Sequence, residues 1–134
     1  MTRYRSLLLL LAVVLAFAGC SRPVESEEGD SPEPAAFDLA LVKAHFTDEC
    51  TNPTFDVEYA CQQMDIDGMS ADGSILNIPT ALDPSAGRDG RADEVCHFPA
   101  TVHYDRTGDD LGYDTIAILG AHGTNLATCA TFSP

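Results

Sequence analysis

Four cysteines, Cys50, Cys61, Cys96 and Cys129, constrain this chain most, because the region that holds them is too short to rely on a large core. From residue 37 onward there are fewer than a hundred residues and no tryptophan. A folded unit of that size buries a modest apolar core and gains from covalent staples. The cysteines are separated by 11, 35 and 33 residues and include no C-x-x-C, which removes support for a zinc knuckle or a thioredoxin-like redox pair. Their even number reads as two structural disulfides. Three pairings are open; Cys50 with Cys61 and Cys96 with Cys129 is favoured, since each bond then stays within one half of the domain. Each such bond typically stabilises a small domain by about 2–4 kcal/mol.

Structural disulfides imply an oxidising compartment, and the N-terminus supplies the route to one. Arg3 and Arg5 precede an unbroken apolar run from Leu7 to Ala18, the order of a secretory signal. As a helix this run extends about 18 Å at ~1.5 Å per residue, short of the roughly 30 Å hydrocarbon core, so it does not suit a permanent span. It ends in Phe17-Ala18-Gly19-Cys20, which resembles the lipobox of bacterial lipoproteins, with Phe17 standing where an aliphatic residue is usual. The resemblance covers the first twenty residues only. It implies a signal peptide over 1–19, cleavage between Gly19 and Cys20 by signal peptidase II, and lipidation of Cys20 by diacylglyceryl and further fatty acyl (palmitate-class) chains. Two or three chains make a durable anchor, since each buried methylene contributes about 0.8 kcal/mol. Ser21 resembles the outer-membrane sorting pattern of diderm bacteria. The implied location is therefore extracytoplasmic, lipid-anchored at the cell membrane or outer membrane.

Past Cys20 the chain carries five basic side chains (Arg22, Lys43, Arg88, Arg91, Arg106) against 21 acidic ones, a difference of −16. So acidic a surface repels phosphate backbones and anionic lipid, which argues against nucleic-acid binding. Residues 21–36, SRPVESEEGDSPEPAA, hold five carboxylates and three prolines but only Val24 as a sizeable apolar side chain. With Cys20 they read as an acidic disordered tether over 20–36. One small domain, 37–134, follows.

Within it, Leu39, Val42 and Phe46 share a helical face behind Asp38, a suitable N-cap. After a loop from Cys50 to Cys61, the stretch from Gln62 to Leu82 reads as two strands turning at Ala71-Asp72-Gly73-Ser74, with the second strand an edge or an ending at Pro79. Asp83-Pro84 opens a helical region whose face holds Ala92, Val95, Cys96, Val102 and His103. Gly87, Gly90 and Pro99 weaken it, so the helix is expected after Gly90, kinking at Pro99 or stopping near Phe98. A second hairpin pairs YDTIAILG with TNLATCATF. Ala121-His122-Gly123-Thr124 echoes the first turn, which leaves duplication and convergence both open. The expected fold class is α+β: a small disulfide-stapled helix–hairpin–helix–hairpin domain with a mainly antiparallel sheet.

Chemistry is sparse. There is no G-x-S-x-G, no H-E-x-x-H, no His pair one turn apart and no glycine-rich phosphate loop after a strand. His45, His97, His103 and His122 are scattered. The remaining candidates are carboxylates: Asp65-Ile66-Asp67-Gly68, and the loop from Asp105 to Asp114, in which Asp105, Asp109 and Asp114 are weak metal candidates. Neither completes a calcium loop, because Met69 and Ala71 lack oxygen ligands in the first and Asp110 replaces the turn glycine in the second. No motif asks for a cofactor. The reading is a non-catalytic, lipid-anchored envelope module that binds a protein or envelope component. Its rival is an extracytoplasmic small-ligand, cation-binding or hydrolytic module built on the Asp105–Asp114 loop.

Overall fold

Asp38 starts the first helix as its sequence demands. Its carboxylate accepts the amide protons of Ala40 (3.0 Å) and Leu41 (3.2 Å), two donors that the helix itself leaves unpaired. The helix α1, Leu39–Thr51, buries Val42 and Phe46 completely. The computed structural model describes residues 32–54 and 56–132, so the expected signal peptide, Cys20 and the tether as far as Ser31 lie outside the described residues. The compact unit begins at Glu33. There the Glu33 amide donates to Asp72 Oδ1 (2.8 Å), the Gly73 amide to the Glu33 carbonyl (3.3 Å) and the Ala36 amide to the Gly73 carbonyl (2.8 Å).

The segment expected to be loop and then strand contains a second helix, α2, Glu58–Gln63. Val57, Ala60 and Met64 are all buried, and their spacing of three and four is helical, not alternating. Gln62 Nε2 donates to Glu58 Oε1 one turn back (3.1 Å). The Cys50–Cys61 disulfide ties α2 to the end of α1 with Cα atoms 5.7 Å apart. The first strand is correspondingly shorter than expected: β1 is Ser70–Asp72, and Met64 keeps only a lone bridge to Thr80.

β1 pairs antiparallel with β2, Ile75–Pro79, leaving Gly73 and Ser74 as the two turn residues. Gly73 has φ +57°, which costs glycine nothing, and Ser74 stays at negative φ, the glycine-first order of a II′ turn. β2 ends at Pro79 but is not an edge. It runs parallel to β3, Thr115–Leu119, which in turn pairs antiparallel with β4, Asn125–Ala130. The sheet order is β1-β2-β3-β4, so two of its three pairings are antiparallel and the hairpins meet through a parallel seam. A parallel seam needs a long crossover, supplied by α3, Ala86–Asp89, and α4, Arg91–Thr101. The two echoing turns differ in build. The second connection runs through five residues, Gly120–Thr124, and follows a register shift at Ile118/Leu119.

α4 continues past Pro99 to Thr101 instead of stopping. Its last carbonyls explain this: Phe98 O accepts the Val102 amide (3.0 Å), Pro99 O the Tyr113 hydroxyl (2.7 Å), and Ala100 O both the His103 Nδ1 proton (2.9 Å) and the Phe132 amide (3.3 Å). The orphan acceptors of the final turn are thus paired from outside the helix. Leu76, Ile78, Ile116 and Ile118 leave the covered face of the sheet and are fully buried with Val42, Phe46 and Val95. Each contributes roughly 1.5–3 kcal/mol by burial. The Cys96–Cys129 disulfide fastens α4 to β4, Cα atoms 6.3 Å apart. The fold is therefore the expected α+β class with both favoured disulfides, which belong to an oxidising, extracytoplasmic setting. Among the described residues no helix is long and apolar enough to cross a membrane.

Candidate functional site

The acidic loop does not gather its carboxylates on one point. Asp105 Oδ1 accepts the Thr107 amide (2.8 Å), the Thr107 hydroxyl (2.6 Å) and the Asp109 amide (3.0 Å), and these bonds, the hydroxyl's first, hold its carboxyl below the usual range. Asp109 lies on the other side of that hydroxyl, at 3.2 Å. Asp110 Oδ1 accepts the Gly112 amide (2.8 Å). Asp114 faces another turn, where the hydroxyls of Ser74 and Thr115 donate to it at 2.8 Å each and lower its pKa. Asp105 and Asp109 thus meet around Thr107, while Asp114 stands apart. In the other acidic stretch, Asp65 Oδ1 likewise accepts the Gly68 amide at 3.1 Å. Among the described residues, no three His, Cys, Asp or Glu side chains converge as a metal site would require.

A charged cleft of about 420 Å³ lies between α1 and the segment after α4, lined by His45, Glu49, Thr54, Thr101, Val102 and Tyr104 with Asp105 and Arg106. His45 and Glu49 are one helical turn apart on the buried side of α1, only 9% and 4% exposed. Arg106 bridges outward from Glu49: its Nε lies 3.2 Å from Glu49 Oε1 and 3.0 Å from Asp48 Oδ2, and its Nη2 donates to the Asn52 carbonyl at 3.0 Å. Glu49 Oε2 and His45 Nε2 are buried without a protein partner. Each such atom costs about 1–3 kcal/mol when nothing satisfies it. This His–Glu spacing of four is visible in the sequence, but Arg106 lies 57 residues from Glu49 and no local pattern announces it.

A larger groove, about 660 Å³, runs between α2 and α4. Val57, Ala60, Phe98 and Val102 give it an apolar floor, each 8% exposed or less. Asp56 stands on the α2 side, Asp93 and Glu94 on the α4 side, and all three are exposed. His97 lines the same groove and is stacked edge-on by Phe132, ring centres 5.2 Å apart, whose side is 53% exposed. Thr101 and Val102 belong to both clefts, so the two adjoin at the end of α4. The sequence carries a signal for the α2 wall of this groove, the Val57–Ala60–Met64 spacing, in the stretch expected to be a loop to Cys61 and a strand from Gln62.

The other histidines serve the fold or face solvent. His103 is buried and bonded to Ala100, and His122 is exposed in the β3–β4 connection. Burial pushes the Tyr113 phenol well above its ordinary pKa, so it remains a hydroxyl donor to Pro99. The Thr101 hydroxyl, beside both clefts, donates to the His97 carbonyl at 2.8 Å within its own helix. The described residues thus form one groove with an apolar floor and an acidic rim, and one adjoining cleft with charged, partly unpaired atoms. No family model matches the chain, and no match was found among curated proteins or solved structures.

Proposed function

We propose that the chain is a lipid-anchored, extracytoplasmic binding module that performs no chemistry and engages a protein of the cell envelope through the groove between α2 and α4. Three features support the reading. The N-terminus resembles a lipoprotein signal ending at Cys20, the 20–36 stretch is rich in acid and proline, and the disulfide-bonded domain presents a preformed concave surface. The groove is the observation that carries it, because a concave cleft with an apolar floor and polar groups set around it is the usual form of a recognition site.

The first test is native mass spectrometry of the protein extracted gently from its own membrane without reductant. A protein partner retained in fixed ratio, and lost when the half-buried Tyr59 of the groove is changed to Ala, supports the reading; a lone lipidated chain in repeated extractions counts against it. Separately, Cys20→Ala is expected to release the chain from membranes with the domain still folded. A rival role for the Asp105–Asp114 loop in cation binding predicts a calcium-dependent rise in melting temperature that disappears in Asp109→Ala. The turn-capping bonds already made by Asp105 and Asp110 weigh against it.

A further inference from the structure

We infer that the occupant of the α2–α4 groove is a basic amphipathic peptide segment of the partner protein, with a large apolar side chain on the floor and Lys or Arg side chains against the rim. This rests on the proposed binding role and specifies its partner.

Charge complementarity carries the inference. Asp56 marks one wall and Asp93 and Glu94 the other, so a ligand between them meets carboxylates from both sides. Asp93 and Glu94 also sit in the first turn of α4, where the helix dipole favours acids. Asp56 stands just before α2 on the facing wall, outside the helix itself. Among the described residues none of the three is in an ion pair, and no lysine or arginine lines the groove. Of the four cations among the described residues, Arg91 pairs with Asp83 and Asp89, Arg106 with Asp48 and Glu49, and the Lys43 ammonium donates to the Asp67 carbonyl at 2.7 Å, while Arg88 is in no ion pair and does not line the groove. The acidic walls are left for an outside cation to neutralise.

The floor sets the second requirement. Val57, Ala60, Phe98 and Val102 present carbon to the cavity, and a purely polar ligand leaves them wet. Tyr59, half-buried on the same wall, and the exposed ring of Phe132 beside His97 add aromatic faces over which a cationic side chain is attracted. A second copy of the chain is a poor occupant when each copy carries a net charge of −14, and an anionic lipid headgroup is repelled by the same rim. A peptide with both an apolar and a basic face answers floor and rim together.

The test uses the full chain in neutral detergent and three labelled helical peptides. One carries leucine and lysine on opposite faces, one replaces lysine by glutamate, and one replaces leucine by serine; binding is read by fluorescence anisotropy. Only the leucine–lysine peptide is expected to bind, more weakly as salt rises. Asp93→Lys with Glu94→Lys should weaken it about tenfold or more, and Asp56→Asn, which touches no helix, by about threefold. Asp109→Lys with Asp110→Lys makes the same change in net charge away from the groove and should leave affinity within about twofold. Equal weakening by both double variants, which means diffuse attraction to an acidic surface, overturns the inference. So does equal binding of the glutamate or serine peptide. If no peptide binds while native mass spectrometry still finds a partner that Tyr59→Ala releases, the basic-segment inference falls and the groove's binding role stands.

Discussion

The two adjoining clefts store their energy in opposite places. In the α2–α4 groove the floor is part of the core: Phe98 is 5% exposed and its ring lies 5.4 Å from that of Phe46, whereas the rim carboxylates stand in solvent. In the α1 cleft the floor is polar and unsatisfied, and a half-exposed arginine on the rim keeps a buried carboxylate tolerable. Rim changes in the groove should thus alter binding with little effect on stability, while rim changes in the charged cleft should alter stability directly.

The largest effect tests the groove floor. Phe98→Ala is expected to cost about 3–5 kcal/mol of unfolding free energy by urea denaturation, because it opens a cavity beside Phe46. A loss below ~1 kcal/mol would show that the floor is not continuous with the core. Replacing both Cys50 and Cys61 by alanine comes next, at about 2–4 kcal/mol. It should also raise amide exchange in α2 more than in α4, since Cys96–Cys129 still fastens α4 to β4.

Arg106→Ala tests the charged cleft. It leaves Glu49 buried with its remaining partner gone, and the expected loss is about 1–3 kcal/mol, reduced from the fully buried case because the arginine side chain is 49% exposed. Adding Glu49→Gln should restore most of that loss. If the double variant is no better than the single, the cost does not arise from the stranded carboxylate.

The smallest effect is a control that touches neither cleft. The hydroxyl and amide of Ser85, and then Arg91, push the Asp83 carboxyl down to about 2. A carboxyl depressed in the folded state stabilises it above the unfolded pKa, and that stabilisation is lost as pH falls through the folded value. Asp83→Asn should therefore lower stability slightly at neutral pH and flatten its loss between about pH 4 and pH 2, so that variant and parent converge at the acid end, as melting curves from neutral pH down through that range would show.

Local features of this molecule were legible in its sequence. Asp38 caps α1 because a carboxylate before a 3–4 apolar spacing has few better uses, and the β-branched run around Ile116 and Ile118 makes the second hairpin. Confining each disulfide to one half of the domain identified both cysteine pairs. What could not be read depends on distant residues. The parallel β2–β3 seam is decided by how the crossover returns. The extension of α4 beyond Pro99 depends on Tyr113 and Phe132, which supply donors from elsewhere in the chain. The candidate sites follow the same division: the groove joins two helices whose acids resembled an ordinary solvated surface, and the charged cleft joins Glu49 to a distant arginine.

The backbone bonds that hold Glu33 and Ala36 to the turn at Gly73 also define a load path. Any tension arriving from the chain upstream enters the domain there. It passes next to Phe37, packed edge-on against Tyr113 with centres 5.8 Å apart, and then through the Tyr113 hydroxyl to Pro99. Pro99 follows Phe98 in the same helix. Any such pull would meet the three hydrogen bonds at the Gly73 turn before it reached the wall of the groove.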